Sequence, residues 1–235
     1  MCELLAVCSD QSVTIDLSLH RFSAHGGQDG PHRDGWGVAF YQGRDARLIK
    51  EADAAAESPW IRFLEQNPQN SLVTVAHLRR ATTGARTHAN TQPFIRELGG
   101  RIHVFAHNGH LPGLGRTPEF SPGRFHPVGE TDSELAFCAL LERVSDCWQE
   151  TPGEVPDLER RLEQVSAFAA AIRPFGPANF SPLMAMRYSR TGTGGATPQR
   201  ERSKRRGWFP CVAGVVATSG DSLPAAWRSA ASIRW

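Results

Sequence analysis

What this 235-residue sequence lacks narrows its function before any motif is considered. No apolar stretch approaches the roughly 20 residues needed to span a bilayer. The polar residues Ser9 to Gln11 cut short the apolar run at the start, so no secretory signal pattern forms. Neither sign of charge is in excess. The 26 basic and 24 acidic side chains leave a formal net charge of +2, no electrostatic footprint for nucleic acid or a membrane surface. The five cysteines, Cys2, Cys8, Cys138, Cys147 and Cys211, are odd in number, scattered and without metal-ligand spacing. That usage argues against a zinc site and suits a reducing, cytoplasmic setting. At this length one large domain with a full core is expected rather than two small ones.

What is present begins at position two. A cysteine there is small enough for the initiator methionine to be removed, leaving one residue with both a thiol and a free α-amine. Their reference pKa values, about 8.5 and about 7.7–8.0, make proton transfer between them nearly isoenergetic near neutral pH. An N-terminal amine acting as base for its own side chain is a route to covalent catalysis. Behind Cys2, Leu4-Leu5-Ala6-Val7 reads as a short buried strand that would hold the terminus rigidly.

Along the chain, Glu3 to Cys8 reads as a strand and residues 9–34 as a polar, Gly/His-rich loop. Gly35 to Tyr41 and Ala46 to Lys50 form a hairpin about Gln42-Gly43-Arg44-Asp45. Ser58-Pro59 supplies a cap and a first-turn proline for a helix expected to bury Trp60, Ile61 and Leu64. Leu72 to Ala76 is β-branched and apolar, a central strand running into His77-Leu78-Arg79. Residues 80–100 read as an irregular loop, and Ile102 to Ala106 as a strand ending at His107-Asn108-Gly109-His110. Two helices follow. Thr131-Asp132-Ser133-Glu134 is a capping box for the first, with Ala136, Phe137, Leu140, Leu141 and Val144 on its apolar face. The second opens at Pro156, with Leu158, Leu162, Val165, Ala169 and Ile172 on one stripe. Strands in hairpins followed by helices favour a layered α+β fold.

Four features carry possible chemistry, and each has an ordinary structural explanation. Arg79 closes a strand where its fork could clamp a carboxylate, or simply meet solvent. Asn108-Gly109 could aim a side-chain amide and a backbone N–H at one developing oxyanion, or form a two-residue hairpin turn. Asp132 could bind an ammonium or merely cap a helix. Gly35-Trp36-Gly37 could be a tight strand entry around a packed aromatic.

Taken in order, Cys2, His77-x-Arg79, Asn108-Gly109 and Thr131-Asp132-Ser133-Glu134 resemble the class II, N-terminal-nucleophile (Ntn) glutamine amidotransferases. Met1-Cys2-Glu3-Leu4-Leu5, Asp34-Gly35-Trp36-Gly37 and Asn90-Thr91-Gln92-Pro93-Phe94 resemble their small stand-alone branch. The likeness covers residues 1 to about 180. It implies a four-layer α/β/β/α sandwich, no cofactor, and a small-molecule substrate, glutamine or another γ-glutamyl compound. Cys2 would attack the side-chain amide carbon, and Asn108 and Gly109 would hold the oxyanion. Arg79 would grip the substrate α-carboxylate and Asp132 its α-ammonium, with His77 placed beside them in the substrate-binding group as a supporting or packing residue rather than a base. No synthase or sugar-isomerase domain is attached, so any ammonia acceptor would be another protein, or there would be none.

After Pro174 to Phe180 the likeness stops. The family pattern would continue with a strand pair containing roughly Asp-Gly-Asp-Ala-Leu-Phe-Ala-His-Gly-His, whereas this chain runs Ser181 to Thr193 without clear periodicity and then into a basic run from Arg200 to Arg206. Codons can be chosen for Leu183 onward that, read from the third base, spell the missing stretch. The expectation is therefore a frame change near residues 180–183, residues 181–235 being an atypical tail and the sandwich incomplete at its C-terminus, with a catalytically inactive truncated relative as the competing reading. The basic run reads as a solvated tail rather than a nucleic-acid patch, because no aromatics interleave it.

Overall fold

Runs of β-branched and aromatic residues build two antiparallel sheets in the computed structural model, which describes residues 2–150 and 153–183. The first sheet holds β1 (Glu3–Val13), β2 (Trp36–Gln42), β3 (Asp45–Glu51) and β4 (Ser71–Leu78), in the order β1-β4-β2-β3. Residues 73–78 of β4 are buried without alternation, as a central strand covered on both faces must be. The second sheet holds β5 (Phe94–Glu97), β6 (Ile102–Gly109) and β7 (Ala178–Leu183), in that order.

Three apolar clusters stack the layers. Ala39, Val73, Val75, Val104 and Ala106 fill the space between the sheets. Helices α1 (Asp16–Ala24) and α2 (Pro59–Gln66) cover the outer face of the first sheet through Ile15, Leu19, Phe22, Ile61 and Leu64, packed against Trp36, Val38 and Phe40. Helices α3 (Asp132–Gln149) and α4 (Leu158–Ile172) cover the second through Phe137, Leu140, Leu141, Val144, Phe168 and Ile172, against Phe94, Phe105 and Phe180. The result is the expected four-layer α/β/β/α sandwich. Among the described residues no helix is long and apolar enough to cross a membrane.

Several boundaries differ from the sequence reading. The segment 9–34 is not all loop: β1 runs on to Val13 past an irregularity after Cys8, and α1 follows. Its buried apolar residues Leu19 and Phe22 follow Ile15, just before the helix, at helical spacing. The loop at 80–100 contains β5, a strand only four residues long. Asn108-Gly109 forms no hairpin turn, because β6 continues through both residues and pairs them with β7. Trp60 is 47% exposed and lies edge-on to Phe63, while Ile61 and Leu64 face the core. On α4 the buried positions are Arg161, Phe168 and Ile172, rather than a stripe through Leu158 and Leu162. The backbone of β7 runs three residues beyond the boundary expected at 180; the remainder of the atypical tail lies outside the described residues.

Candidate active site

Register brings Cys2, Arg79, Gly109 and Asp132 to one cleft, while Asn108, next to Gly109, does not line it. In the β1–β4 ladder Glu3 pairs with Leu78, which sets Cys2 beside the residues that leave β4. Cys2 Sγ lies 3.4 Å from both the carbonyl oxygen and the amide nitrogen of Arg80. The end of β6 and the start of α3 converge on the same place. A small cleft is lined by Cys2, Arg79, Gly109 and Asp132, together with residues 80–83, Asn90, Gln92, His107, Thr131 and Ser133.

Each expected residue has a definite setting. Gly109 is held where no side chain fits: a Cβ there would run into the Pro177 carbonyl and lie 2.6 Å from His107 Nε2. Asn108 precedes it, buried, with its Oδ1 unpartnered among the described residues. Asp132 is the first residue of α3, behind the Thr131 cap, whose Oγ1 accepts from Glu134 N at 3.2 Å. Its own carboxylate accepts from Leu111 N at 2.6 Å, Ser133 N at 2.8 Å and His110 Nδ1 at 3.1 Å.

Arg79 lines the cleft, but its guanidinium is turned to backbone. NH1 donates to the Asp34 and Ala85 carbonyls at 3.3 and 3.0 Å, and NH2 to those of Thr83 and Gly84 at 2.9 and 3.1 Å. In this arrangement it curls the 80–85 segment over the cleft as well as supplying positive charge beside Cys2. His77 is not in the cleft. It is fully buried, neither ring nitrogen has a hydrogen-bond partner among the described residues, and burial pushes it down to about 3. It is neutral at any ordinary pH.

The Cys2 thiol is raised by burial, an effect opposed by the Arg80 backbone contact, by the positive chain terminus and by Arg79. A thiol held protonated at rest needs a base at the moment of attack, and a neighbouring amine can supply one. His107, which the sequence reading did not single out, also faces the cleft. Burial holds it down to about 4, with Nδ1 2.9 Å from Ser133 Oγ. Asp34 and the Asn90–Gln92 segment were quoted only for resemblance, yet Asp34 Oδ2 accepts from Ala81 N at 2.8 Å and so braces the cleft wall.

The sequence profile of the class-II glutamine amidotransferases matches residues 1–184. The chain belongs to this family. Among family members it is 38% identical over 179 residues to YafJ of Escherichia coli K12, an alignment covering 76% of this chain and 68% of YafJ. A Haemophilus influenzae relative is 38% identical over 159 residues, with 53% of its own length covered. The matched region thus spans 68% of the one relative and 53% of the other. Of solved structures, the predicted glutamine amidotransferase from Pseudomonas aeruginosa PA01 superposes with a TM-score of 0.54 at 38% identity, covering 77% of this chain and 68% of that one. The glutamine phosphoribosylpyrophosphate amidotransferase of B. subtilis superposes at 0.53 with 17% identity over 79% of this chain and 36% of its own. At that identity the likeness speaks for the Ntn fold alone.

Proposed function

We propose that this class II glutamine amidotransferase hydrolyses the side-chain amide of glutamine through a thioester on Cys2, releasing ammonia and glutamate. One observation carries the reading. A thiol next to the N-terminus, a glycine N–H closing a strand and a carboxylate opening a helix, all distant in sequence, line one cleft.

With Met1 removed, the Cys2 amine takes the thiol proton and sulfur bonds to the amide carbon, pushing the carbonyl electrons onto oxygen. The Asn108 side-chain amide and the Gly109 N–H hold that oxyanion. Collapse breaks the C–N bond, the nitrogen leaves with the proton stored on the amine, and a thioester remains. Water then attacks, the amine again accepting a proton, and a second tetrahedral species collapses to glutamate and free thiol. Asp132 receives the substrate ammonium, and the Arg79 charge attracts its carboxylate, which fixes the scissile carbon near sulfur. His77, buried and neutral, packs beneath them.

Because the glutamyl head is the part recognised, a γ-glutamyl amide of a small amine is the nearest alternative substrate. The test compares glutamate release from glutamine and from a γ-glutamyl amide by the methionine-processed protein and by Cys2→Ala. Cys2-dependent turnover with higher kcat/KM on glutamine supports the reading. Turnover that survives Cys2→Ala contradicts it.

A further inference from the structure

The cleft draws its parts from two sheets. Cys2 leads into β1 of the first, whereas Asn108 and Gly109 end β6 of the second. Whatever fixes one sheet against the other at this end also fixes the thiol against the oxyanion donors. The apolar contact between the sheets is non-directional and does not by itself set a distance between polar atoms. At the far end of β6 directional ties exist: the Tyr41 hydroxyl donates to the Ile102 carbonyl and accepts from Val104 N, both at 3.2 Å. At the cleft end lies Asn90-Thr91-Gln92-Pro93, a segment to which the proposed mechanism gives no role.

In the β5–β6 ladder Phe94 pairs with Phe105, so two residues further on the register sets Gln92 opposite His107. There the side chain replaces the backbone. His107 N donates to Gln92 Oε1 at 2.6 Å, and Gln92 Nε2 donates to the His107 carbonyl at 3.2 Å. A primary amide carries the donor and acceptor of a peptide group, so Gln92 adds one more rung to the ladder. It is 4% exposed, and the next residues along β6 are Asn108 and Gly109.

The same segment is locked to the first sheet. A Cβ on Gly37 would overlap the Gln92 carbonyl and approach Pro93 Cδ to 2.9 Å, and one on Gly35 would meet Thr91 Oγ1 at 2.9 Å. Lys50 Nζ donates to the Thr91 carbonyl at 2.8 Å. Gly35-Trp36-Gly37 and Asn90 to Phe94 are therefore two halves of one joint. Asn90 extends it outward, its Oδ1 accepting from Glu130 N at 2.7 Å and its Nδ2 donating to the Ala85 carbonyl at 3.0 Å.

We propose that Gln92 is a positioning residue: its side-chain amide carries the second sheet's ladder past Phe94 and holds the Asn108–Gly109 donors in register with Cys2. This rests on the proposed reaction for its catalytic half and on geometry alone for its structural half. Gln92→Met keeps the length and removes both hydrogen bonds.

Three readouts decide the matter: amide hydrogen exchange at His107, the kcat and KM of glutaminase activity, and the rate of Cys2 alkylation by iodoacetamide, which needs no oxyanion hole. The expected result is exchange at His107 faster by about tenfold or more. With it, kcat falls about 10²-fold, the order seen on losing one oxyanion donor, while KM and alkylation change less than about threefold. Unchanged exchange overturns the rung, and faster exchange with unchanged kcat overturns its catalytic consequence. A wild type that exchanges normally yet releases no glutamate overturns the parent reaction instead. Should Gln92→Met not fold, Lys50→Met loosens the same segment from the other sheet. A smaller drop in kcat at unchanged KM is then expected, and no drop in kcat overturns the proposal.

Discussion

Lowering the pH from 7.5 to 5.5 should cost this fold several kcal/mol through three histidines. His77, His103 and His107 are each no more than 1% exposed. Burial pushes them down to about 3, 4 and 4 respectively, from about 6.5 in an unfolded chain. Above pH 6.5 all three are neutral in both states and nothing is lost. Below it the unfolded chain binds protons that the fold refuses, so stability falls with pH, and the loss continues until the folded values near 4 and 3 are reached. One unit below 6.5 each histidine removes about 1.4 kcal/mol, on the order of 4 kcal/mol together at pH 5.5. That is a large share of the roughly 5–15 kcal/mol available to a domain. Urea melts followed by tryptophan emission at pH 7.5, 6.5 and 5.5 measure it. His77→Leu should remove about a third of the pH dependence, and should be neutral or stabilising at pH 7.5 because two unpaired buried nitrogens disappear. Stability that is level between pH 7.5 and 5.5, or a slope unaltered by His77→Leu, would refute the reasoning.

Other outcomes follow from the cleft. Asn108→Ala should lower the glutaminase kcat about 10²–10³-fold with little change in KM, read by glutamate release. Asp132→Asn should raise the KM for glutamine. It should also lower the unfolding free energy by about 1–3 kcal/mol, because the Leu111 N–H loses one of its possible acceptors. Arg79→Lys keeps the charge but loses the fork that gathers the Asp34, Thr83, Gly84 and Ala85 carbonyls. Limited proteolysis should then cut within residues 80–88 faster than in the wild type. Sequencing the gene through codons 180–235 tests the frame change, which requires codons that spell the family strand pair from the third base of the Leu183 codon; incompatible codons reject it.

Much of this architecture was legible in the sequence because it rests on local pattern. The β-branched, largely apolar run of β4 and the capped, periodic face of α3 each specify their element without help from the rest of the chain. Helix α1 was harder. Ile15, Leu19 and Phe22 mark its covered face, but Ile15, Leu17 and Leu19 also alternate in sequence as a strand would, and its burial depends on the sheet beneath. Strand β5 exists because β6 lies beside it, and four residues carry too little alternation to declare a strand alone. At the site, each residue alone had an ordinary structural explanation, and only the family resemblance of the ordered set pointed to Cys2, Asn108, Gly109, Arg79 and Asp132. The service of Gln92 could not be read that way. A side-chain amide standing in for a backbone rung is visible only once the register of another strand is known. The turning of the Arg79 fork onto carbonyls likewise depends on the path of residues 83–85.

The most direct test of the account is the intact mass of the purified protein after exposure to a diazo-ketone analogue of glutamine. Loss of Met1 together with a single adduct mapped to Cys2, slowed by added glutamine and absent in Cys2→Ser, is the result the account predicts. Folded protein that keeps Met1, or that is labelled elsewhere than Cys2, would contradict an N-terminal cysteine nucleophile in this chain.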